Sequence, residues 1–162
     1  MEIFLMQHGP SLPPEEDPQE GLSREGEKAV TATAVALARM GLRPGLMVAS
    51  PKARARQSAE IVARVLNYDL EDILISDDVK AMSEPGDTLQ FLAAHQQRAP
   101  LMVVGHLPNL AKVAGGLLSS RRQATVDFKR GGICAIEVEE LPRGQGKLLW
   151  YLPPAVTTLM GA

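Results

Sequence analysis

Three side chains able to attack or hold a phosphoryl group stand at the ends of apolar runs in this chain: His8, Arg54 and His106. His8 follows residues 3–6 and precedes Gly9. Arg54 lies in Ser50-Pro51-Lys52-Ala53-Arg54-Ala55, directly after the apolar residues 46–49. His106 follows residues 101–104 and Gly105. Phosphoryl transfer needs positive charge on the equatorial oxygens and an in-line nucleophile. Imidazole is such a nucleophile when one ring nitrogen is bare and the other is oriented by a hydrogen bond. In that reading His8 attacks, and Arg54 disfavours its protonated form. A protonated His106 donates to a phosphoryl oxygen. Gly9 leaves room for the backbone to approach the phosphate.

The elements that must position these groups follow from pattern. Residues 3–6, 46–49 and 101–104 read as buried strands, and residues 73–75 as a further strand. Between them run helices. Ser23 caps the first, whose inner face is Val30, Ala34, Leu37 and Ala38, with Gly41 placed to end it. Ser50 and Pro51 suit the N-cap and first position of the second, with Ala55, Ala59, Val62 and Leu66 inward. Asp87 and Gln90 have capping-box spacing for a third. Leu110, Val113, Ala114 and Leu117 mark a fourth. Residues 119–130 look polar and loop-like. Residues 133–139 and 147–152 read as an antiparallel strand pair. The alternation predicts an α/β fold, a three-layer α/β/α sandwich with a mostly parallel central sheet and an antiparallel edge. In open sheets of this kind ligands bind beyond the carboxyl ends of the strands, where His8, Arg54 and His106 would meet.

The cations of the second helix sharpen this expectation. Lys52, Arg54 and Arg56 crowd its first turns, the end of the helix dipole that disfavours positive charge. Lys52 and Arg56 can reach solvent on long stems. For Arg54 the reading is a bound anion, which would also meet the free backbone N–H groups there. The loop of residues 10–21 holds four prolines and four acidic residues. It reads either as a flap over the site or as a solvated connector.

Composition removes other classes. At 162 residues and 45% hydrophobic, the chain fits a single domain, 1–162, with one sizeable core. A net charge of -2 gives no general pull toward nucleic acid or membrane. Basic residues also pair at Arg121 and Arg122. No apolar run approaches the roughly 20 residues that span a bilayer, and the start lacks signal-peptide features, so a cytoplasmic location is expected. Cys134, the one cysteine, reads as a buried strand residue, and His95 as a surface residue near a helix end. The three histidines have no zinc-ligand spacing, so neither metal nor cofactor is expected. A Gly-x-Ser-x-Gly elbow and a nucleotide-binding P-loop are both absent.

As an ordered set, three motifs resemble the histidine phosphatase superfamily, in its short SixA-like branch of phosphohistidine phosphatases. They are Gln7-His8-Gly9, Ser50-Pro51-x-x-Arg54-Ala55-x-Gln57-Ser58-Ala59, and Gly105-His106-x-Pro108. The segment Leu22-Ser23-Arg24-Glu25-Gly26 is similar to the family's first helix start. The resemblance covers most of the chain and implies a phosphoglycerate mutase-like fold. It implies that His8 is phosphorylated and then hydrolysed, with Arg54 and His106 holding the phosphoryl group and Gln7 and Gly9 beside it. It also implies a substrate that is a phosphohistidine-bearing signalling or phosphotransfer protein. A small phosphoester is the alternative substrate. The family's motif begins with arginine where this chain has Gln7, which donates a hydrogen bond but brings no charge. Lys52, Arg56 or Lys129 are the cations considered as replacements, and a non-catalytic module that binds a phosphorylated partner is the reading if none replaces it. Glu84, in the turn after the third strand, is the candidate general acid.

Overall fold

Strand β1 (Glu2–Gln7) lies near the middle of a six-stranded sheet in the order β3-β2-β4-β1-β5-β6. The structure is a computed structural model that describes residues 1–121, 124–142 and 145–160. Arg122, and residues 143–144 of the connection between the last two strands, lie outside the described residues. β2 (Leu46–Ala49), β3 (Leu74–Ile75) and β4 (Leu101–Gly105) run parallel with β1. β5 (Ile133–Glu137) pairs antiparallel with β1, and β6 (Lys147–Leu152) antiparallel with β5. The parallel body with an antiparallel edge is as expected.

Strand alternation sends side chains to two cores. Ile3, Leu5, Leu101 and Val103 face one side, with Leu110, Val113 and Leu117 of α4 (Asn109–Leu118) and Leu89 and Leu92 of α3 (Pro85–Ala94). Phe4, Met6, Met102 and Val104 face the other. There they meet Val30, Ala34 and Leu37 of α1 (Arg24–Arg39) and Ala59, Val62 and Leu66 of α2 (Ala53–Leu66). With both faces covered, the central strands carry apolar residues in unbroken runs. The architecture is therefore the three-layer α/β/α sandwich.

The helix ends are where local expectation and structure part. Ser23 caps α1 as read, accepting from the Gly26 N–H. Gly41, at φ +74°, closes it, with Gly41 N–H donating to Ala38 and Leu42 N–H to Leu37. Ser50 and Pro51 do not start α2. Lys52 is its N-cap, without a side-chain cap bond, and the Ser50 hydroxyl bonds the Lys52 N–H and His106. Nor does Asp87 cap α3: Pro85 fills its first position and Glu84 precedes it. The segment leading to β5 is irregular but not merely polar, since Val126 and Phe128 are buried in the core. A short α5 (Pro154–Met160) packs against α1, with Thr157 buried on Thr33. Among the described residues no helix is long and apolar enough to cross a membrane.

Candidate active site

The carboxyl ends of β1 and β4 and the start of α2 converge on a cleft of about 510 Å³. Gln7, His8, Arg54 and His106 all line it. The parallel register sets Gln7 beside Gly105, so both histidines leave the sheet at one level. Their ring centroids are 4.9 Å apart. Three residues distant in sequence are thus brought together as expected.

Geometry fixes the state of His8. Its Nδ1 lies 2.7 Å from the carbonyl oxygen of Gly9. A carbonyl only accepts, so Nδ1 carries the proton and Nε2 holds the lone pair. Arg54 Nε donates to that Nε2 at 3.3 Å. Burial holds the imidazole down at about 4; the Gly9 bond pulls the other way, and Arg54 and Arg130 lower it further. His8 is therefore neutral near pH 7, with a directed lone pair.

His106 is held differently. Its Nε2 lies 2.8 Å from the Ser50 hydroxyl, which itself accepts from the Lys52 N–H. The Ser50 hydroxyl can both donate and accept, and with Ser50 donating to Nε2 the ring proton sits on Nδ1. That Nδ1 is buried without a partner. Burial first, then the charges of His8, Arg54 and Lys52, hold His106 at about 3. The condition considered from sequence, a protonated His106, is not met in the free cleft: the ring is neutral, and its donor is a neutral N–H.

Gly9 sits where expected but for another reason. Its N–H is donated to Ser58 Oγ at 3.1 Å, and Ser58 in turn donates to the Arg54 carbonyl. A Cβ on Gly9 would fall 2.7 Å from Val30 and 2.9 Å from the Gly26 carbonyl. The glycine allows the turn after β1 to pass tightly against α1. Gln7 is only 6% exposed, and its Oε1 is buried without a partner.

Glu84 does not join the histidines. It is exposed and lines a neighbouring groove with Pro85, Pro108 and Lys112. Among the described residues Glu20 is the one carboxylate lining the cleft. It has φ +51° at the end of the proline-rich loop, whose Leu12 N–H bonds the Gly21 carbonyl. Gln57 Oε1 accepts from the Leu22 N–H and ties that loop to α2. The loop therefore forms one wall of the cleft.

The cations considered as replacements at position 7 also separate. Lys52 and Arg56 line an adjoining groove, and Lys129, at the cleft, pairs with Asp127 at 2.8 Å. Arg130, which sequence reasoning missed, lines the cleft itself. A larger depression of about 650 Å³ lies at the opposite end of the sheet, around Met1, Arg43 and Trp150. It contains no histidine or other nucleophile suited to this chemistry. Among the described residues no three His, Cys, Asp or Glu side chains are grouped to share a metal ion.

No protein-family model and no curated protein matches this sequence. Solved structures do match its backbone. The protein histidine phosphatase SixA, complexed with tungstate, superimposes with a TM-score of 0.83 at 21% identity. The match covers 96% of this chain and 98% of that one. The fold is that of the histidine phosphatases. A SixA protein from Agrobacterium tumefaciens follows at 0.77 and 23% identity, over 94% of this chain and 97% of that one. A mycobacterial glucosyl-3-phosphoglycerate phosphatase, in complex with VO3, shares the histidine phosphatase fold at 0.67 and 14% identity, over 91% of this chain and 96% of that one.

Proposed function

We propose that this chain is a phosphohistidine phosphatase that works through a covalent intermediate at His8. The observation that carries the reading is the fixed tautomer of His8: Nδ1–H on the Gly9 carbonyl and a bare Nε2 facing Arg54. Solved structures of the same fold include SixA with tungstate, an oxyanion like phosphate, which supports the same reading.

The steps follow from that geometry. The Arg54 guanidinium shifts from the Nε2 lone pair onto the phosphoryl oxygens. Nε2 then attacks phosphorus in line, a new P–N bond forms, and the substrate's P–N bond breaks. The leaving imidazole, protonated on its other nitrogen, departs neutral. Because His8 keeps its Nδ1 proton, the intermediate is a phosphoimidazolium, and the Gly9 carbonyl stabilises its positive charge. Water attacks next, and the P–N bond at His8 breaks. Dihydrogen phosphate leaves, and His8 returns to its neutral form. Arg54 and the His106 N–H hold the oxygens throughout. No step calls on a metal.

Transfer between two imidazoles needs no strong general acid, because donor and acceptor nitrogens are chemically alike. An alkoxide leaving group does need one. Glu84 lies outside the cleft, which leaves Glu20 as the one carboxylate there that could serve an ester, and the SixA structures of the same fold support a protein-borne phosphohistidine. The expected substrate is thus a phosphotransfer protein, in the cytoplasm.

The test mixes the protein with a histidine-phosphorylated phosphotransfer protein in excess EDTA and quenches in acid or alkali. Acid-labile, alkali-stable phosphate on His8, with phosphate release lost in His8→Ala, is expected. Tungstate binding without label or release would instead make the chain a module that holds phosphorylated partners.

A further inference from the structure

We propose that Arg130 is a phosphate-binding residue of this cleft, supplying the second fixed positive charge that position 7 does not provide. The inference rests on the phosphatase reading for its substrate, but not for its oxyanion site.

The need comes from counting charge. A phosphoryl group brings up to two negative charges. Both histidines are neutral in the free cleft, and Gln7 adds only an amide. Arg54 alone, bonded to His8, leaves the group half neutralised. Lys129 is already paired with Asp127, and Lys52 and Arg56 line the adjoining groove. Arg130 lines the same cleft as Gln7, His8 and Arg54, and makes no hydrogen bond or ion pair with the described residues. Its guanidinium is free to engage an anion, and it matches phosphate oxygens with two parallel donors.

The backbone holds Arg130 next to position 7. Gly131 N–H donates to the carbonyls of both Gln7 and His8, at 3.0 Å each. Gln7 N–H returns a bond to the Gly132 carbonyl, also at 3.0 Å. Gly131 sits at φ +82°, which turns the chain immediately after Arg130, and its carbonyl accepts from the buried Thr33 hydroxyl at 2.8 Å. The residue that presents Arg130 is thus locked to the strand carrying His8 and to α1. The charge lost in sequence at position 7 returns in space from the turn before β5.

The test is a double-mutant cycle between positions 7 and 130, read by tungstate affinity and by kcat/KM on the phosphohistidine protein. Arg130→Ala is expected to weaken tungstate at least tenfold and to lower kcat/KM on the order of 10²-fold. Gln7→Arg is expected to recover tenfold or more in the Arg130→Ala background, but threefold or less in the parent. A purely structural role would not show that rescue, and Arg130→Gln repeats the measurement with an uncharged side chain of similar reach. Unchanged tungstate affinity in Arg130→Ala overturns the proposal, as does an equal effect of Gln7→Arg in both backgrounds. Tungstate affinity is read without turnover, so a parent protein that forms no phosphoenzyme sinks the phosphatase reading alone.

Discussion

At the scale of single residues, the chemistry depends on which imidazole nitrogen carries a proton. Free histidine titrates near 6.5, whereas His8 is held at about 4, chiefly by burial. Protonation removes the Nε2 lone pair, so the proposed attack by His8 would be lost as pH falls through the folded value. Single-turnover phosphorylation of His8 should therefore show its acid limb near pH 4, and a limb near 6.5 would contradict the buried, neutral ring. Ser50 governs the other histidine. Ser50→Ala removes the partner of His106 Nε2 and frees the ring to take the wrong tautomer. Turnover should fall roughly 10- to 100-fold, and stability by about 1–3 kcal/mol because His106 Nε2 and the Lys52 N–H lose a buried partner, as measured by kcat/KM alongside a urea melt. Glu20, the carboxylate in the cleft wall, would separate substrate classes if it serves as the proton donor. Glu20→Gln should slow a phosphoester at least about tenfold while leaving phosphohistidine turnover within about twofold, because only the ester's leaving group needs a proton donor. Equal losses on both would deny Glu20 that role. His8, Arg54 and His106 were legible because each ends a strand or opens a helix, where pattern and fold geometry agree. Arg130 was not, because it lies in an irregular stretch without periodicity, placed by the Gly131 and Gly132 bonds to Gln7 and His8 ahead of the pairing of β5 with β1. Ser50 was read as a cap, since a serine before a helix looks the same whether it bonds the backbone or a distant imidazole.

At the scale of elements, the strands and the four long helices were readable from their apolar spacing, and their joints were not. Glycine shows why. Gly26 and Gly86 both lie in first turns of helices and look alike in sequence. A Cβ on Gly26 would fall 1.9 Å from the Pro10 carbonyl, which also accepts from the Ser23 N–H, whereas one on Gly86 would meet nothing within 4 Å. The close approach at Gly26 seats the proline-rich loop on α1 and so forms the cleft wall. Gly26→Ala should lose about 1–2 kcal/mol, overpacking outweighing the gain in helix propensity. Gly86→Ala should gain up to about 1 kcal/mol. Urea midpoints of the two variants decide it, and stabilisation by both would mean that the loop yields without cost. The helix α5 went unread for a related reason. At seven residues it is too short for a periodic signature, and its existence depends on the buried Thr157–Thr33 contact with α1.

At the scale of the whole molecule, building the cleft has a thermodynamic consequence. Two imidazoles are buried neutral at the sheet's carboxyl edge, 6% and 3% exposed, although each would be protonated in the unfolded chain below about pH 6.5. Both folded values are lowered, to about 4 and about 3. Between pH 6.5 and those values the unfolded state binds more protons than the native one, so stability falls as the solution is acidified. Carboxylates add to acid unfolding, but a histidine variant shares them, and the difference between variant and parent isolates the imidazole. His8→Asn should therefore gain relative to the parent as pH drops from 7 to 4.5, by about 2 kcal/mol, with the gap flat above pH 7. Urea unfolding at several pH values measures it. A constant gap would mean that His8 titrates alike in both states, which would remove burial as the source of its bare nitrogen. The same burial that would poise the nucleophile thus sets the acid limit of the fold.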